Sequence, residues 1–574
     1  MDGREYIGYF TMEIGLDESI PTYSGGLGIL AGDTVRSAAD QGIPMVVVTL
    51  LYRKGYFRQH LDASGWQNEE YVTWPVAEHL QEMKPQCSIE IEGRQVMVRA
   101  WKHEVKGVGG HTVPVYFLDT DLEQNAAPDR TITDYLYGGD LHYRLCQESV
   151  LGIGGVRMLR ALGYSEIRRF HMNEGHAALL TLELAYELSK QAWDMTYDQT
   201  PHIITPEIVH LVKPMCIFTT HTPVPAGQDK FPLDLVHKVI TGYKEVFVDR
   251  EQEFFPNHEL NMTYLALDNS HYINGVAKIH GQVSRQMFAK YDIHSITNGV
   301  HAATWASPPV AKMFDEYIPG WREDNSSLRY ALNIPKRHIL TAHNQAKKNL
   351  IDHVNKTTNI GFEPDVFTIG FARRAAVYKR AELLFWDTAR LIEIAKNVGP
   401  IQLIYAGKAH PQDKPGKEVI QRIHQIKNTL KGKIKIVYLE NYDINLAKLI
   451  TSGVDLWLNT PQPPLEASGT SGMKAAVNGV PSLSILDGWW GEGCIEGVTG
   501  WAIGGYKNTS LEGPDSRADD AHALYDKLEM IILPMFYNEL DRYTEIIRHC
   551  IALNASFFNT ERMLSQYVTK AYFK

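Results

Sequence analysis

Apolar and polar positions follow two regimes along the chain. Short runs rich in β-branched and aromatic residues, at 6–10, 45–51, 366–371, 402–405, 434–439 and 454–458, are separated by longer stretches with helical spacing. That alternation predicts parallel sheets wrapped by helices, an α/β fold. The second half shows it most clearly: PDVFTIGFARR, GPIQLIYAGKAH, GKIKIVYLEN, SGVDLWLNT and GVPSLSILDG each read as a buried strand emptying into a polar loop. Ligands of such sheets bind beyond the carboxyl ends of the strands. The polar, proline-punctuated stretch 297–336 reads as irregular and sets the expected lobe boundary near residue 300, giving lobes 1–300 and 301–574. Residues 518–574 read as helical without strands, and are expected to pack back across both lobes.

A chain of 574 residues exceeds what one hydrophobic core supports, which agrees with two lobes. Hydrophobic residues at 44% and charged residues at 22% leave no room for a collagenous or disordered class. Lys plus Arg number 57 against 67 Asp plus Glu, and the net charge of -10 argues against nucleic acid as a partner. The five cysteines are scattered and never form a Cys-x-x-Cys pair, so neither a disulfide framework nor a zinc site follows. No window reaches the roughly 18 apolar residues of a membrane span, and no secretory signal is visible; a reducing cytoplasm is the expected compartment.

Several polar segments interrupt the pattern where chemistry is expected. In YSGGLGILAG, Gly26, Gly28 and Gly32 open a helix with a spacing one residue longer than the dinucleotide fingerprint, which suits either an anion at a helix N-terminus or a tight turn. HMNEGHAALL sets Asn173, Glu174 and His176 at the mouth of an apolar helix with Asn173 as its cap; His171 and His176 are five apart, not the four that two metal ligands on one helical face need, so no metal is expected. His221 lies between threonines before Pro223 and Pro225, on a constrained loop. Asn298 and Gly299 read as turn formers, and Trp305 as either core or an aromatic wall. In GFARRAAVYKR, Arg373 and Arg374 end a strand while Lys379 and Arg380 fall on what reads as the next helix; four gathered cations suit phosphate. EASGTSGMKAAVNG supplies Glu466, small residues from Ala467 to Gly472, and Lys474 in the first turn of a helix among apolar neighbours, where a lysine of lowered pKa can form a Schiff base.

Together YFTMEIGLDESIPTYSGGLGILAGD, NEGHAALL, FTTHTPVPAG, ITNGVHAATW, ARRAAVYKR, NYDINLAKL and EASGTSGMKAAVNG resemble the α-glucan phosphorylases of glycogen, starch and maltodextrin, in order over nearly the whole chain and closest to the compact bacterial and archaeal branch. The resemblance implies a GT-B fold, two Rossmann-like lobes with the active site in the interlobe cleft. It also implies pyridoxal 5'-phosphate as cofactor, on Lys474, with Thr470, Ser471 and Gly472 at its phosphate, Trp305 and Tyr442 at its border, and Arg373 nearby. Gly25 and Gly26 would approach the phosphates from the other lobe, and Arg374 and Lys379 would hold the substrate phosphate. His221, Asn298, Glu466, Ala467, Ser468 and Gly469 would bind the glucosyl hydroxyls, with Asn173, Glu174 and His176 lining the pocket. Asp443 stands where larger members carry an arginine. The N-terminal regulatory extension of those members is expected to be absent. The implied reaction is retaining phosphorolysis of an α-1,4-glucan by inorganic phosphate to glucose 1-phosphate, in a homo-oligomer, dimer or larger. A GT-B transferase using a nucleotide sugar leaves the EASGTSGMK loop unexplained, and a non-catalytic glucan-binding relic sits poorly with Lys474, Arg374, Lys379 and His221 together.

Overall fold

The structure, a computed structural model, describes residues 5–196, 205–224, 227–243, 258–505 and 516–573. Two large sheets organise them. The first has nine strands in the spatial order Ile293–Ser295, Tyr272–Gly275, Cys216–Thr219, Ile167–Asn173, Tyr6–Thr11, Met45–Leu50, Thr112–Asp119, Arg94–Lys106 and Gln81–Ile91. The first seven pair in parallel, and the last two extend the sheet with antiparallel pairing. The second sheet has six parallel strands, in the order Lys435–Leu439, Ile401–Ala406, Phe367–Ala372, Leu456–Asn459, Ser482–Ile485 and Gly500–Ile503.

In both sheets the parallel strands run outward from a central pair, the order of a doubly wound nucleotide-binding fold. Each therefore has a point where the chain reverses direction across the sheet, and a crevice opens there beyond the strand ends. In the first sheet it falls between Tyr6–Thr11 and Ile167–Asn173; in the second, between Phe367–Ala372 and Leu456–Asn459. The two crevices contribute to one cleft, the GT-B arrangement. The strands read as unbroken apolar runs because both faces are covered: Phe367, Ile369 and Phe371 enter one core, while Ala372, Ile404, Ala406 and Trp457 enter another against Leu350, Ile351 and Val354.

Stretch 297–336 is more ordered than its composition suggests. It forms the helices Ala302–Trp305 and Pro308–Tyr317 and a 3-10 segment Asn325–Asn333, with Trp305 and Trp321 buried. Pro308, Pro309 and Pro335 sit at helix starts, where a missing N–H costs nothing, and Pro319 lies in the turn after Tyr317. The chain then passes through the long helix Lys336–Thr358 into the second sheet. It returns at the end: Val300 bridges Asn559, and the helix Thr560–Tyr567 lies on the first sheet. There the Tyr567 hydroxyl bonds Thr219 and Asn274, and the Tyr572 hydroxyl bonds His171 at 2.8 Å. At the crossing a Cβ on Gly299 would stand 2.1 Å from the Asn559 backbone, so only glycine lets the two segments lie together.

Candidate active site

A cleft of about 1050 Å³ lies between the sheets and is lined from both sides. From the first sheet come Glu13, Gly25, Gly26, Glu174, His176 and His221; from the second and its loops come Arg373, Arg374, Lys379, Tyr442 and 465–471 with Lys474. Asn298 and Trp305 line it from the crossing segment. Two sequence-predicted residues, Asn173 and Gly472, stand behind the wall.

The cations leave the end of strand Phe367–Ala372. Pairing with the neighbouring strand continues past the sheet, through Arg373 N to Ala406 O (3.1 Å) and Ala375 N to Lys408 O (3.0 Å), and fixes the loop. Arg373 then meets Glu466 at 2.8 Å, and Lys379 bonds the same carboxylate oxygen. Burial pushes the Glu466 carboxyl up, but the charges of Arg373 and Lys379 win and hold it at about 2. Arg374 pairs with no carboxylate among the described residues. Three cations against one carboxylate leave a surplus of two positive charges in this cluster.

Arg380 departs from the expected grouping. Lys379 ends a single 3-10 turn, Val377–Lys379, and Arg380 takes a left-handed conformation (φ 47°) that turns it away from the cleft. It is buried against Asp520 at 2.9 Å and the carbonyls of Thr460 and Pro461. The predicted helix stops after one turn, at the left-handed Arg380, whose guanidinium is taken up by that carboxylate and the two carbonyls.

Three residues beyond Glu466, Gly469 adopts φ 86° and starts the helix Thr470–Val477, whose N-terminus opens on the cleft with no side-chain cap. Lys474 falls in its second turn, not the first. Its amine is buried and stands 4.0 Å from the centre of the Trp305 ring, and burial lowers it to about 8. Gly472 packs on Trp489, where a Cβ would come within 2.9 Å of the indole. On the facing lobe the helix Gly26–Asp40 likewise begins at the cleft without a side-chain cap at Gly25.

Asn173 is not a helix cap. It ends the strand Ile167–Asn173; its amide donates to Thr11 Oγ1 (3.2 Å) and its Oδ1 accepts from His221 Nε2 (2.7 Å). Glu174, at φ 83°, instead caps the 3-10 turn Gly175–Ala177, and its carboxylate also takes the His221 N–H at 2.7 Å and the Thr222 hydroxyl at 2.9 Å. Burial, with smaller contributions from His280, His171 and His176, lowers His221 to about 3, so the imidazole is neutral. Pro225, the second of the two prolines predicted to constrain this loop, lies outside the described residues.

Residues 160–492 match the model of the phosphorylase family, described as carbohydrate phosphorylase. Over its whole length the chain is 39% identical to the maltodextrin phosphorylase of Thermococcus litoralis, spanning 71% of that protein. It is 37% identical over 99% of its length to the glycogen phosphorylase of Mycobacterium bovis, 70% of which it spans, and 34% identical over 100% to that of Aquifex aeolicus, 86% of which it spans. The chain belongs to the carbohydrate phosphorylase family.

As a phosphorylase cleft it holds several buried polar atoms with no partner among the described residues: Asn298 Oδ1, Arg373 Nε and Nη1, Ser468 Oγ, Ser471 Oγ and His176 Nδ1. Unmet groups of this kind are costly unless a ligand or water meets them, and all six belong to residues that line the cleft. The sequence also concealed part of the wall. Glu13 accepts from the Ser24 and Gly25 amides and from the Tyr137 hydroxyl, and so fixes the glycine loop. Arg144 reaches Asp229 at 3.2 Å and Glu148 at 2.9 Å, and Asp229 also faces His176 at 3.3 Å. Only the i,i+4 spacing of Arg144 and Glu148 left a trace in the sequence.

Proposed function

We propose that this phosphorylase is a glycosyltransferase acting on α-1,4-glucans such as glycogen, starch or maltodextrin, and that it carries pyridoxal 5'-phosphate. Its lobes are taken as 1–300 and 301–574, with the terminal helices returning to the first, and its setting as the cytoplasm of the cell in a homo-oligomer. The observation that carries the reading is the charge surplus at Arg373, Arg374 and Lys379 in the same cleft as a buried, partly neutral lysine. A phosphate dianion balances that surplus.

The residues present fit the cofactor. Lys474 would hold its aldehyde carbon, since a lysine at about 8 presents a neutral amine in useful amount. Thr470, Ser471 and Gly472 at the helix N-terminus, with the unpartnered Ser471 hydroxyl and the free Arg373 N–H groups, would hold its phosphate. Trp305 and Tyr442 would flank the ring. When bound, the group supplies a second phosphate beside the reacting one, able to relay or stabilise a proton.

Arg374 and Lys379 then hold inorganic phosphate at the glucosyl carbon, with Gly25 and Gly26 offering backbone amides from the opposite lobe. A phosphate O–H gives its proton to the glycosidic oxygen as the C1–O bond breaks, and a phosphate oxygen bonds C1 on the same face. The products are α-glucose 1-phosphate and a chain shorter by one unit. His221, Asn298, Glu466, Ala467, Ser468 and Gly469 orient the glucosyl ring, with Asn173, Glu174 and His176 behind or beside them. His221 is neutral, so it acts as a hydrogen-bonding group and not as the acid.

The test is direct. Purified chain, maltodextrin and orthophosphate should yield glucose 1-phosphate, and the protein's absorbance should show a pyridoxal chromophore. Glucosyl transfer from a nucleotide sugar with no such chromophore would overturn the reading.

A further inference from the structure

The helix Gly26–Asp40 carries a buried carboxylate, Asp33, that faces away from its own lobe. The helix is pinned where Gly32 touches Gly15: a Cβ there would lie 2.1 Å from the Gly15 carbonyl oxygen. Asp33, 1% exposed, is thereby held inside, and burying a carboxylate is expensive unless it is paired and hydrogen-bonded. It has three partners. Arg36, on the same helix, stands at 3.3 Å. The other two lie on the crossing segment: Trp305 Nε1 donates to Asp33 Oδ2 at 2.7 Å and the His301 amide donates at 3.2 Å.

Trp305 has its ring face 4.0 Å from the Lys474 amine, so the bond that orients the indole also decides how its face meets the lysine. We propose that Asp33 is a positioning residue for Lys474: it locks the Trp305 indole against the amine and, with its charge, sets how readily that amine reacts. This rests on the reading of Lys474 as the cofactor-bearing lysine, and it makes the glycine helix of one lobe a determinant of chemistry in the other.

Charged groups on the elements around the amine are Asp33 and Arg36 on the glycine helix, His301 beside Trp305, Lys448 on the helix Ile444–Gly453, and Arg373, Lys379 and Glu466 in the cleft wall. Against the effect of burial, Asp33 is the neighbour whose charge favours the protonated amine. Removing that charge while keeping an acceptor for the indole therefore lowers the pH at which Lys474 becomes reactive.

The experiment uses the full chain and two readouts. Acetic anhydride labelling of Lys474, located by peptide mass spectrometry, gives the amine's midpoint without any cofactor; borohydride trapping of added pyridoxal 5'-phosphate gives its attachment. Asp33→Asn should lower both midpoints by about half a unit, about a threefold gain in neutral amine at fixed pH below the midpoint. Trp305→Phe breaks the bond but keeps the charge; it should speed labelling at every pH and hasten cofactor loss. If Asp33→Asn does not fold, Trp305→Phe carries the test alone. Folded variants with wild-type midpoints and rates overturn the proposal. Wild-type chain that labels normally but takes up no pyridoxal phosphate would instead sink the cofactor reading, and the labelling comparison would still decide Asp33.

Discussion

Replacing Arg374 by alanine removes the one cation of the Arg373, Arg374 and Lys379 cluster that no carboxylate answers among the described residues. Glu466 already takes up one of the three charges, so the variant keeps a surplus of one where a phosphate dianion requires two. The loss of a charge-assisted hydrogen bond costs about 1.5 to 3 kcal/mol. At about 1.4 kcal/mol per factor of ten, kcat/KM for phosphate should fall by about 10- to 150-fold. Initial rates with phosphate and maltodextrin varied separately read this out, and with the guanidinium on the anion as proposed, the KM for maltodextrin should stay within about twofold. Arg374→Lys should recover part of the loss, since it restores the charge without the planar fork. Phosphate kinetics unchanged in Arg374→Ala, with the protein folded, would remove Arg374 from the anion site and refute the charge count.

Other outcomes follow from the same geometry. Glu466→Gln frees Arg373 and Lys379 of their internal counter-ion, so competitive inhibition by sulfate should strengthen while turnover drops; weaker sulfate inhibition would contradict the pairing. Because the folded Glu466 sits at about 2, below its ordinary value of 4.5, its stabilising contribution is complete above about pH 4.5 and lost as pH falls toward 2; the stability gap between wild type and Glu466→Gln in urea melts should therefore close in acid and stay constant from pH 5 upward. Lys474 has the opposite sign. Its lowered value penalises the folded cofactor-free chain below about pH 8, so Lys474→Met should raise the Tm of that chain at pH 7, by an amount that shrinks as pH rises toward 10.5. Tyr567→Phe removes a hydroxyl shared by Thr219 and Asn274, and should cost about 1 to 3 kcal/mol in denaturant unfolding.

The parallel strands were legible because burial on both faces leaves an apolar run no helix period explains, as in 366–371 and 402–405. Cleft residues at strand ends were legible for a related reason: Arg373 and Arg374 follow such a run at once, and polar groups there have nowhere to go but the crevice. Arg380 was not, because its partner Asp520 lies 140 positions on, and nothing local separates it from Lys379. Asn173 misled in the same way; its side chain answers Thr11 and His221, both distant in sequence, and not the helix that follows. Glu13 was hidden because a lone carboxylate after a strand carries no spacing, although in the fold it fixes Ser24 and Gly25.

The paired crossings at Val300 and Asn559 also have a mechanical meaning. Two stretches of backbone bonded side by side, at Val300 N to Phe558 O and Thr560 N to Val300 O, resist shear but yield to torsion, as a short strap does. Arg562 tightens the strap by donating to the carbonyls of Thr297 and Asn298 at 2.6 and 2.9 Å. The strap is not the sole tie between the two halves, since Gln59 donates to the Gly407 carbonyl and Gln67 to the Ala409 carbonyl on the other side of the cleft. Asn298 sits on the strap and also lines the cleft, so the returning terminus fixes one residue of the cleft wall directly. A cut in the last helix would therefore be felt in the cleft at Asn298, 264 positions before Arg562 in the sequence.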